Sequence, residues 1–209
     1  MEKIKNIQVN RDLGVALREM TPELVESRSA EFVISSESVD AHGTVFRMDG
    51  WDLERYSKNP IVLYGHRSGS DNPDDIIGTS EVFVRDNELI GKVTFEDGDV
   101  NGKAEKIFRK VQNGTLRMAS IGAKILDGHF GNRANDEDPD ILYFTRQQLM
   151  EWSIVPIGSN PDALKRELDT IEEIRQEHIQ SIETIEEENE QKQGSKVRDA
   201  QILIYKYNK

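Results

Sequence analysis

Three apolar, strand-like segments of this chain each carry a reactive side chain that a packing strand does not need. Residues 60–66 end in a histidine, residues 114–124 are centred on Ser120, and residues 149–156 contain Glu151. A serine, a histidine and a carboxylate are the groups that nucleophilic acyl transfer requires. The separations of 54 and 31 residues between them leave room for the three segments to be neighbouring strands of one sheet, and this hypothesis limits the fold.

Further segments rich in β-branched and aromatic residues predict additional strands. They are residues 31–39, 44–46, 76–84, 88–95 and 141–145. Turn residues at 40–43 and 85–87 indicate two hairpins, each joining consecutive strands. So many strands with little helix between them predict a mainly β fold with peripheral helices. We expect a mainly antiparallel sheet that closes into a barrel and so removes its edges.

Two segments have helical character, and two are polar loops. Apolar residues recur at helical spacing in residues 103–113, and residues 50–56 suit a short helix that ends before Pro60. Residues 68–75 and 127–140 are loops by composition. His66 is therefore expected at a strand end beside an exposed loop, where functional residues are often held.

The chain divides by composition into three predicted parts. Residues 1–28 form an N-terminal arm, residues 29–161 form the β-barrel domain, and residues 162–209 form an acidic helical tail. Residues 162–192 contain 11 acidic and 4 basic residues, so this stretch alone holds −7 of the net charge of −12. Its approximate 3-4 apolar spacing favours a long helix or a weak coiled coil.

Composition excludes several classes of function. The chain has no cysteine, which removes disulfides, thiol nucleophiles and Cys-based zinc sites. Its net charge of −12 opposes nucleic-acid binding, and no stretch is long and apolar enough for a membrane span or a signal peptide. We therefore expect a cytosolic protein without nucleic-acid or membrane partners and without a cofactor.

The Ser/His/acid hypothesis has a plainer alternative at each position. Ser120 could be a small packing residue, and His66 could be a strand-end histidine that bonds to the loop. Glu151 is harder to dismiss, since a carboxylate between Met150 and Trp152 on a central strand is costly to bury without a partner.

The remaining histidines have plain interpretations too. His42 fits a turn residue, and His129 and His178 fit solvated positions. A metal site would need His42, His66 and an acid to converge. No His-x-x-x-His or comparable spacing supports one, so no metal is expected.

Several short motifs follow one another in a specific order over residues 30–164. They are Ser38-Val-Asp-Ala-His-Gly43, Gly50-Trp-Asp-Leu53, Asn59-Pro-Ile-Val-Leu63 with His66, Ile77-Gly78, Ala119-Ser-Ile-Gly122, and Glu151-Trp-Ser-Ile-Val-Pro156 with Asn160-Pro-Asp-Ala163. In this order the chain resembles the prohead serine proteases of tailed phages, a family distantly similar to the herpesvirus protease assemblin.

The resemblance implies a fold, a role for each site residue and a biological setting. It implies a closed antiparallel β-barrel with surrounding helices, Ser120 as nucleophile, His66 as general base and Glu151 as third member. Herpesvirus relatives use a second histidine in place of the acid. Ala123 departs from the family, many members of which have an aromatic residue there.

The same resemblance implies cleavage of scaffold segments of the phage capsid protein, and of the protease itself, inside the immature capsid in the bacterial cytoplasm. It also allows a homodimer. The alternative is a non-catalytic capsid assembly or scaffolding protein that binds through the barrel and the acidic helix. A distance below about 3.5 Å between Ser120 Oγ and a nitrogen of His66 would favour the enzyme.

Overall fold

The computed structural model describes residues 7–12, 16–40, 43–157, 171–182 and 184. The chain divides into two compact units, Met1–Glu167 and Leu168–Lys209. The described residues of the first unit form strands β1 (Gln8–Asp12), β2 (Ser29–Ser36), β3 (Thr44–Phe46), β4 (Trp51–Asp52), β5 (Ile61–Tyr64), β6 (Ile76–Arg85), β7 (Glu88–Phe95), β8 (Met118–Phe130) and β9 (Leu142–Val155), and helices α1 (Pro22–Glu26), α2 (Glu54–Ser57) and α3 (Gly102–Gln112).

Strand β9 organises the sheet. The strand order is β1-β8-β9-β5-β6-β7-β2, and β3 and β4 also pair with β9. Strands β3, β4 and β5 run parallel to β9, and the other pairs are antiparallel. The fold is therefore mainly β with few helices, as predicted, and residues 60–66, 114–124 and 149–156 do meet in adjacent strands.

Strand β9 is one continuous strand, where the sequence predicts two runs. Three polar residues, 146–148, interrupt the apolar pattern of the sequence. In the fold Gln147 is fully buried, and its Nε2 donates a hydrogen bond to the carbonyl oxygen of Arg47 at 2.7 Å. Because this side chain has a buried partner, the strand continues through a polar residue.

The prediction of a closed barrel is wrong. The sheet curls into an open half-barrel whose end strands, β1 and β2, share no ladder among the described residues. The gap is spanned by Ala16, whose N–H donates to the carbonyl of Arg117 and whose own carbonyl accepts from the N–H of Val33, both at 2.9 Å. These backbone bonds pair part of the free edge of β2 and the residue just before β8, so some of the exposed backbone is paired without closure of the sheet.

The first predicted hairpin is also wrong. Asp40 and Thr44, on either side of the predicted turn, are hydrogen-bonded, since the side chain of Asp40 accepts from the N–H of Thr44 at 2.9 Å. Its flanking strands then diverge, with β2 pairing to β7 and β3 pairing to β9. The second hairpin, β6–β7, is confirmed, and Asp86 and Asn87 both have positive φ as a tight primed turn requires.

The predicted polar loop at residues 127–140 is shorter than expected. Strand β8 continues to Phe130, with Asp127 opposite Arg146 across irregularities in the ladder. A short 3-10 turn, Arg133–Asn135, follows in the remaining loop.

The helix predicted at residues 103–113 is confirmed as α3. It buries the four apolar residues of its predicted face, Ala104, Ile107, Phe108 and Val111. Asn101 caps it by accepting from the N–H groups of the first turn, and its Nδ2 donates to the carbonyl of Ile76 on β6 at 2.8 Å.

Helix α2 partly matches the short helix predicted at residues 50–56. A 3-10 turn, Met48–Gly50, and strand β4 come first, and α2 begins only at Glu54. Tyr56 of α2 is buried, and its hydroxyl donates to the carbonyl of Ile61 on β5 at 2.9 Å. Burial raises the pKa of Tyr56 to about 12.

Of the second unit, the structure describes residues 171–182 and 184, which are helical. The rest of the predicted acidic tail lies outside the described residues. No described helix is long and apolar enough to span a membrane.

Candidate active site

Strand register brings the three predicted site segments together. Ser120 on β8 lies directly opposite Ser153 on β9, and Leu63 on β5 pairs with Ser153 from the other side. Because side chains two residues apart on a strand share a face, Glu151 lies on the same face as Ser153. Residue His66 follows β5 at the edge of this face.

The chain reaches His66 through a left-handed turn. Gly65 has φ of 72°, and its N–H extends the ladder by donating to the carbonyl of Ile154 at 3.0 Å. His66 itself has φ of 58°, a conformation that costs an L-residue about 1–2 kcal/mol. Its N–H donates to Ser153 Oγ at 3.1 Å, which holds the turn in place. Backbone strain of this kind clusters at functional sites.

The three predicted site residues form a continuous hydrogen-bonded chain. Ser120 Oγ lies 2.7 Å from His66 Nε2, and His66 Nδ1 lies 2.7 Å from Glu151 Oε1. An ionised carboxylate can only accept, so Nδ1 carries the proton and donates to Glu151. The neutral imidazole then has its lone pair at Nε2, where it accepts the hydroxyl proton of Ser120. This is the tautomer that general base catalysis needs.

The backbone opposite Glu151 leaves room for the carboxylate. Gly122 pairs with Glu151 across the ladder, and a Cβ at Gly122 would lie 2.7 Å from Glu151 Oε1. Real Cβ atoms do not approach this closely, so the oxygen that accepts from His66 occupies space that only glycine leaves free. The glycine of the Ala-Ser-Ile-Gly motif therefore has a steric role at the site.

The site is buried on the serine side and open on the histidine side. Ser120 is fully buried, while the side chains of His66 and Glu151 are 32% and 16% exposed. A cavity of about 480 Å³ lies beside them. Its walls include His66, Gly122 and Glu151, together with Gln8 of β1 and Arg55 of α2. A substrate group could reach the imidazole from this cavity.

The other histidines stand apart from this chain of contacts. His42 lies outside the described residues. His129 was expected in solvent, but its Nε2 bonds to Glu137 Oε2 at 2.9 Å and its ring stacks on Tyr143. The hydrogen bond from His129, with a second from Arg47, holds the pKa of the buried Glu137 below its ordinary value.

The described residues contain no group of three or more His, Asp or Glu side chains placed to hold a metal ion. His178, which was also expected in solvent, lies on the described helix of the second unit.

Sequence reasoning missed one residue of the site. Ser153 accepts from the N–H of His66 and donates to Glu151 Oε2 at 2.8 Å, yet it is fully buried. A signal existed, since Ser153 is two residues from Glu151 and so shares its strand face. A serine in an apolar strand is common, however, and only the register shows which residue it faces.

A family of known proteins matches more than half of this chain. A family model described as caudovirus prohead serine protease matches residues 57–177, a range that contains His66, Ser120 and Glu151. The chain is similar to the prohead protease of Escherichia phage T5, at 29% identity over 171 residues, covering 77% of this chain and 72% of that protein. It is also similar to the solved structure of the bacteriophage T4 capsid assembly protease, gp21, with a TM-score of 0.49 and 12% identity, covering 72% of this chain and 98% of that chain.

Proposed function

Since this chain belongs to the caudovirus prohead serine protease family, we propose that it is a serine endopeptidase of phage capsid maturation. Ser120 is the nucleophile, His66 is the general base, and Glu151 orients the imidazole and balances its charge. The observation that carries this assignment is the unbroken chain of contacts from Ser120 Oγ through His66 to Glu151, with 2.7 Å at each step.

The reaction follows from the protonation state of these groups. Ser120 Oγ attacks the carbonyl carbon of a peptide bond as its proton passes to His66 Nε2. The resulting imidazolium lies against the carboxylate of Glu151, which stabilises its charge. His66 then gives the proton to the leaving amine, the C–N bond breaks, and an acyl-enzyme ester remains on Ser120. Water, deprotonated by His66, hydrolyses the ester and restores the enzyme.

The contact distances favour the enzyme over a scaffolding protein. A scaffolding protein that binds through the β-sheet does not need a histidine in a left-handed turn or an Nε2 lone pair directed at a serine hydroxyl. It also does not need a glycine where a side chain would collide with a carboxylate. Each of these features costs stability or restricts the sequence, and each supports hydrolysis.

We propose phage capsid proteins, and in particular their scaffold segments, as the substrates. The family description and the name of the T5 relative both refer to the prohead, which supports action inside the immature capsid in the bacterial cytoplasm. Self-cleavage, including removal of the acidic tail, belongs to the same proposal. A homodimer stays a prediction.

The proposed nucleophile can be tested without knowing the substrate. The wild-type chain is incubated with a fluorophosphonate probe, and labelling is followed by intact mass beside Ser120→Ala and Ser35→Ala. In the labelling step Ser120 Oγ bonds to phosphorus, fluoride leaves, and the hydroxyl proton goes to His66. Ser35 is a matched control, because it is also fully buried on a strand and its hydroxyl has no hydrogen-bond partner among the described residues.

The same samples also test self-cleavage, since intact mass reports any shortening of the chain. We expect labelling and shortening in wild type and Ser35→Ala, and neither in Ser120→Ala. If wild type and Ser120→Ala are labelled equally, Ser120 is not the nucleophile. If none of the three is labelled or shortened, the scaffolding alternative replaces the enzyme.

A further inference from the structure

Ser153 links the backbone of His66 to the carboxylate of Glu151. Its hydroxyl accepts a hydrogen bond from the backbone N–H of His66 at 3.1 Å and donates one to Glu151 Oε2 at 2.8 Å. A serine hydroxyl has one proton to donate, and the carboxylate takes it. Ser153 therefore connects the main chain of the proposed base to the side chain of the proposed acid.

Each of these two bonds constrains one degree of freedom that the site depends on. The bond to Glu151 Oε2 fixes the carboxylate so that its other oxygen, Oε1, faces His66 Nδ1. The bond from the His66 N–H fixes a left-handed backbone conformation, with φ of 58°, that an L-residue disfavours. A change in either one moves Nε2 relative to Ser120 Oγ.

The surroundings of Ser153 leave its hydroxyl few alternatives. Ser153 is fully buried in the central strand β9, with Leu63 of β5 on one side and Ser120 of β8 on the other. Because a buried hydroxyl cannot turn to water, its bonds persist. Removing it would leave one donor on His66 and one acceptor on Glu151 without this shared partner.

We propose that Ser153 is a positioning residue of the active site, which sets the activation of Ser120 by holding His66 and Glu151 in register. It acts through His66 and does not itself contact the reacting atoms. This inference rests on the proposed function, because it assigns Ser153 a role only if Ser120 is activated by His66.

The test compares rates of Ser120 phosphonylation by the fluorophosphonate probe in the full chain. Ser153→Ala removes both bonds, and Ser35→Ala is the control for loss of a buried hydroxyl. Positioning of a general base accounts for part of its roughly 100- to 10,000-fold contribution, so we expect Ser153→Ala to label about 10- to 100-fold more slowly. Ser35→Ala should label at the wild-type rate, and thermal unfolding is measured for every variant.

A second pair of variants separates positioning from packing. Ser153→Thr and Ser153→Val have nearly the same shape and differ in the hydroxyl. If Ser153 positions the base, Thr should label at least about tenfold faster than Val, at a similar unfolding temperature. This comparison also decides the matter if Ser153→Ala does not fold.

Three results would overturn the inference. Ser153→Ala could label as fast as wild type, its slower labelling could match its loss of folded protein, or Thr and Val could label equally. Failure of the proposed function looks different, because the wild-type chain itself then fails to label, and the role of Ser153 falls with it.

Discussion

Replacing Glu151 with glutamine removes one negative charge at nearly constant volume, and it should slow acylation of Ser120. Two donors face the carboxylate, His66 Nδ1–H at 2.7 Å and the Ser153 hydroxyl at 2.8 Å. An amide offers one acceptor oxygen, so only one of the two donors keeps its partner. If the amide nitrogen faces His66, Nδ1 of the imidazole must accept from it, so the imidazole proton moves to Nε2. Nε2 can then no longer take the proton of the Ser120 hydroxyl.

The magnitude follows from the charge that the imidazole gains during attack. With the charge centres of the imidazolium and carboxylate about 4 Å apart and an effective dielectric constant of about 20, their attraction is about 4 kcal/mol. At about 1.36 kcal/mol for each factor of ten, this corresponds to about a 1,000-fold effect on the rate. Glu151 and His66 are partly exposed, which screens the attraction, so we expect a loss of about 100- to 1,000-fold.

The assay is the rate of fluorophosphonate labelling, with shortening of the chain as a second readout. Glu81→Gln is the matched control, since it makes the same change at an exposed position on β6. Thermal unfolding of Glu151→Gln shows whether the variant is folded. A rate within threefold of wild type in a folded variant would refute the role of Glu151 as the partner of His66.

Three further outcomes are expected. Gly122→Ala should slow labelling of Ser120 by at least about tenfold, because the added Cβ would lie 2.7 Å from Glu151 Oε1. Gly102→Ala is the control and should label at the wild-type rate, because a Cβ there meets no atom within 4 Å. Equal labelling rates for the two variants would show that the site tolerates the methyl group. Because the pKa of Glu137 is lowered in the folded protein, its ionised carboxylate stabilises the fold above about pH 4.5, and this stabilisation is lost as the pH falls through the folded-state pKa. Glu137→Gln should therefore make the free energy of unfolding depend less steeply on pH in the acid range. An unchanged pH dependence in that range would contradict this. Absorbance titration of the folded protein should show a tyrosine that ionises near pH 12 and disappears in Tyr56→Phe; ionisation of every tyrosine near pH 10 would contradict its burial.

The candidate site was largely predictable because its chemistry needs particular residue types. A serine, a histidine and a carboxylate in three apolar segments are unusual, and strand periodicity alone makes neighbouring strands a reasonable expectation. The assignment of Ser120, His66 and Glu151 as catalytic stays a prediction until it is tested, but the structure does place them in contact. The contacts of Ser153 were not predictable in this way, since which residues it faces is clear only once the β8–β9 register is known.

The fold was predictable where the signals are local. The β6–β7 hairpin and helix α3 depend on turn residues and on one apolar face, and both were expected from the sequence. The pairing of β3 with β9 joins residues about a hundred positions apart, and no local pattern specifies it. Gln147 misled the strand assignment for the same reason, because its buried hydrogen bond to Arg47 is visible only in the folded chain.

The position of β1 determines how a peptide could approach Ser120. Asp12 of β1 pairs with Ser120 on one side of β8, and Ser153 of β9 pairs with it on the other. A substrate therefore cannot join β8 as a strand at Ser120 while β1 is paired there, and strand addition is a common way for a sheet to bind a peptide. Residue Gln8 of the same strand lines the cavity beside His66. Strand β1 thus occupies the edge of β8 at Ser120 and forms one wall of the cavity beside His66, so this strand limits how a peptide could reach Ser120.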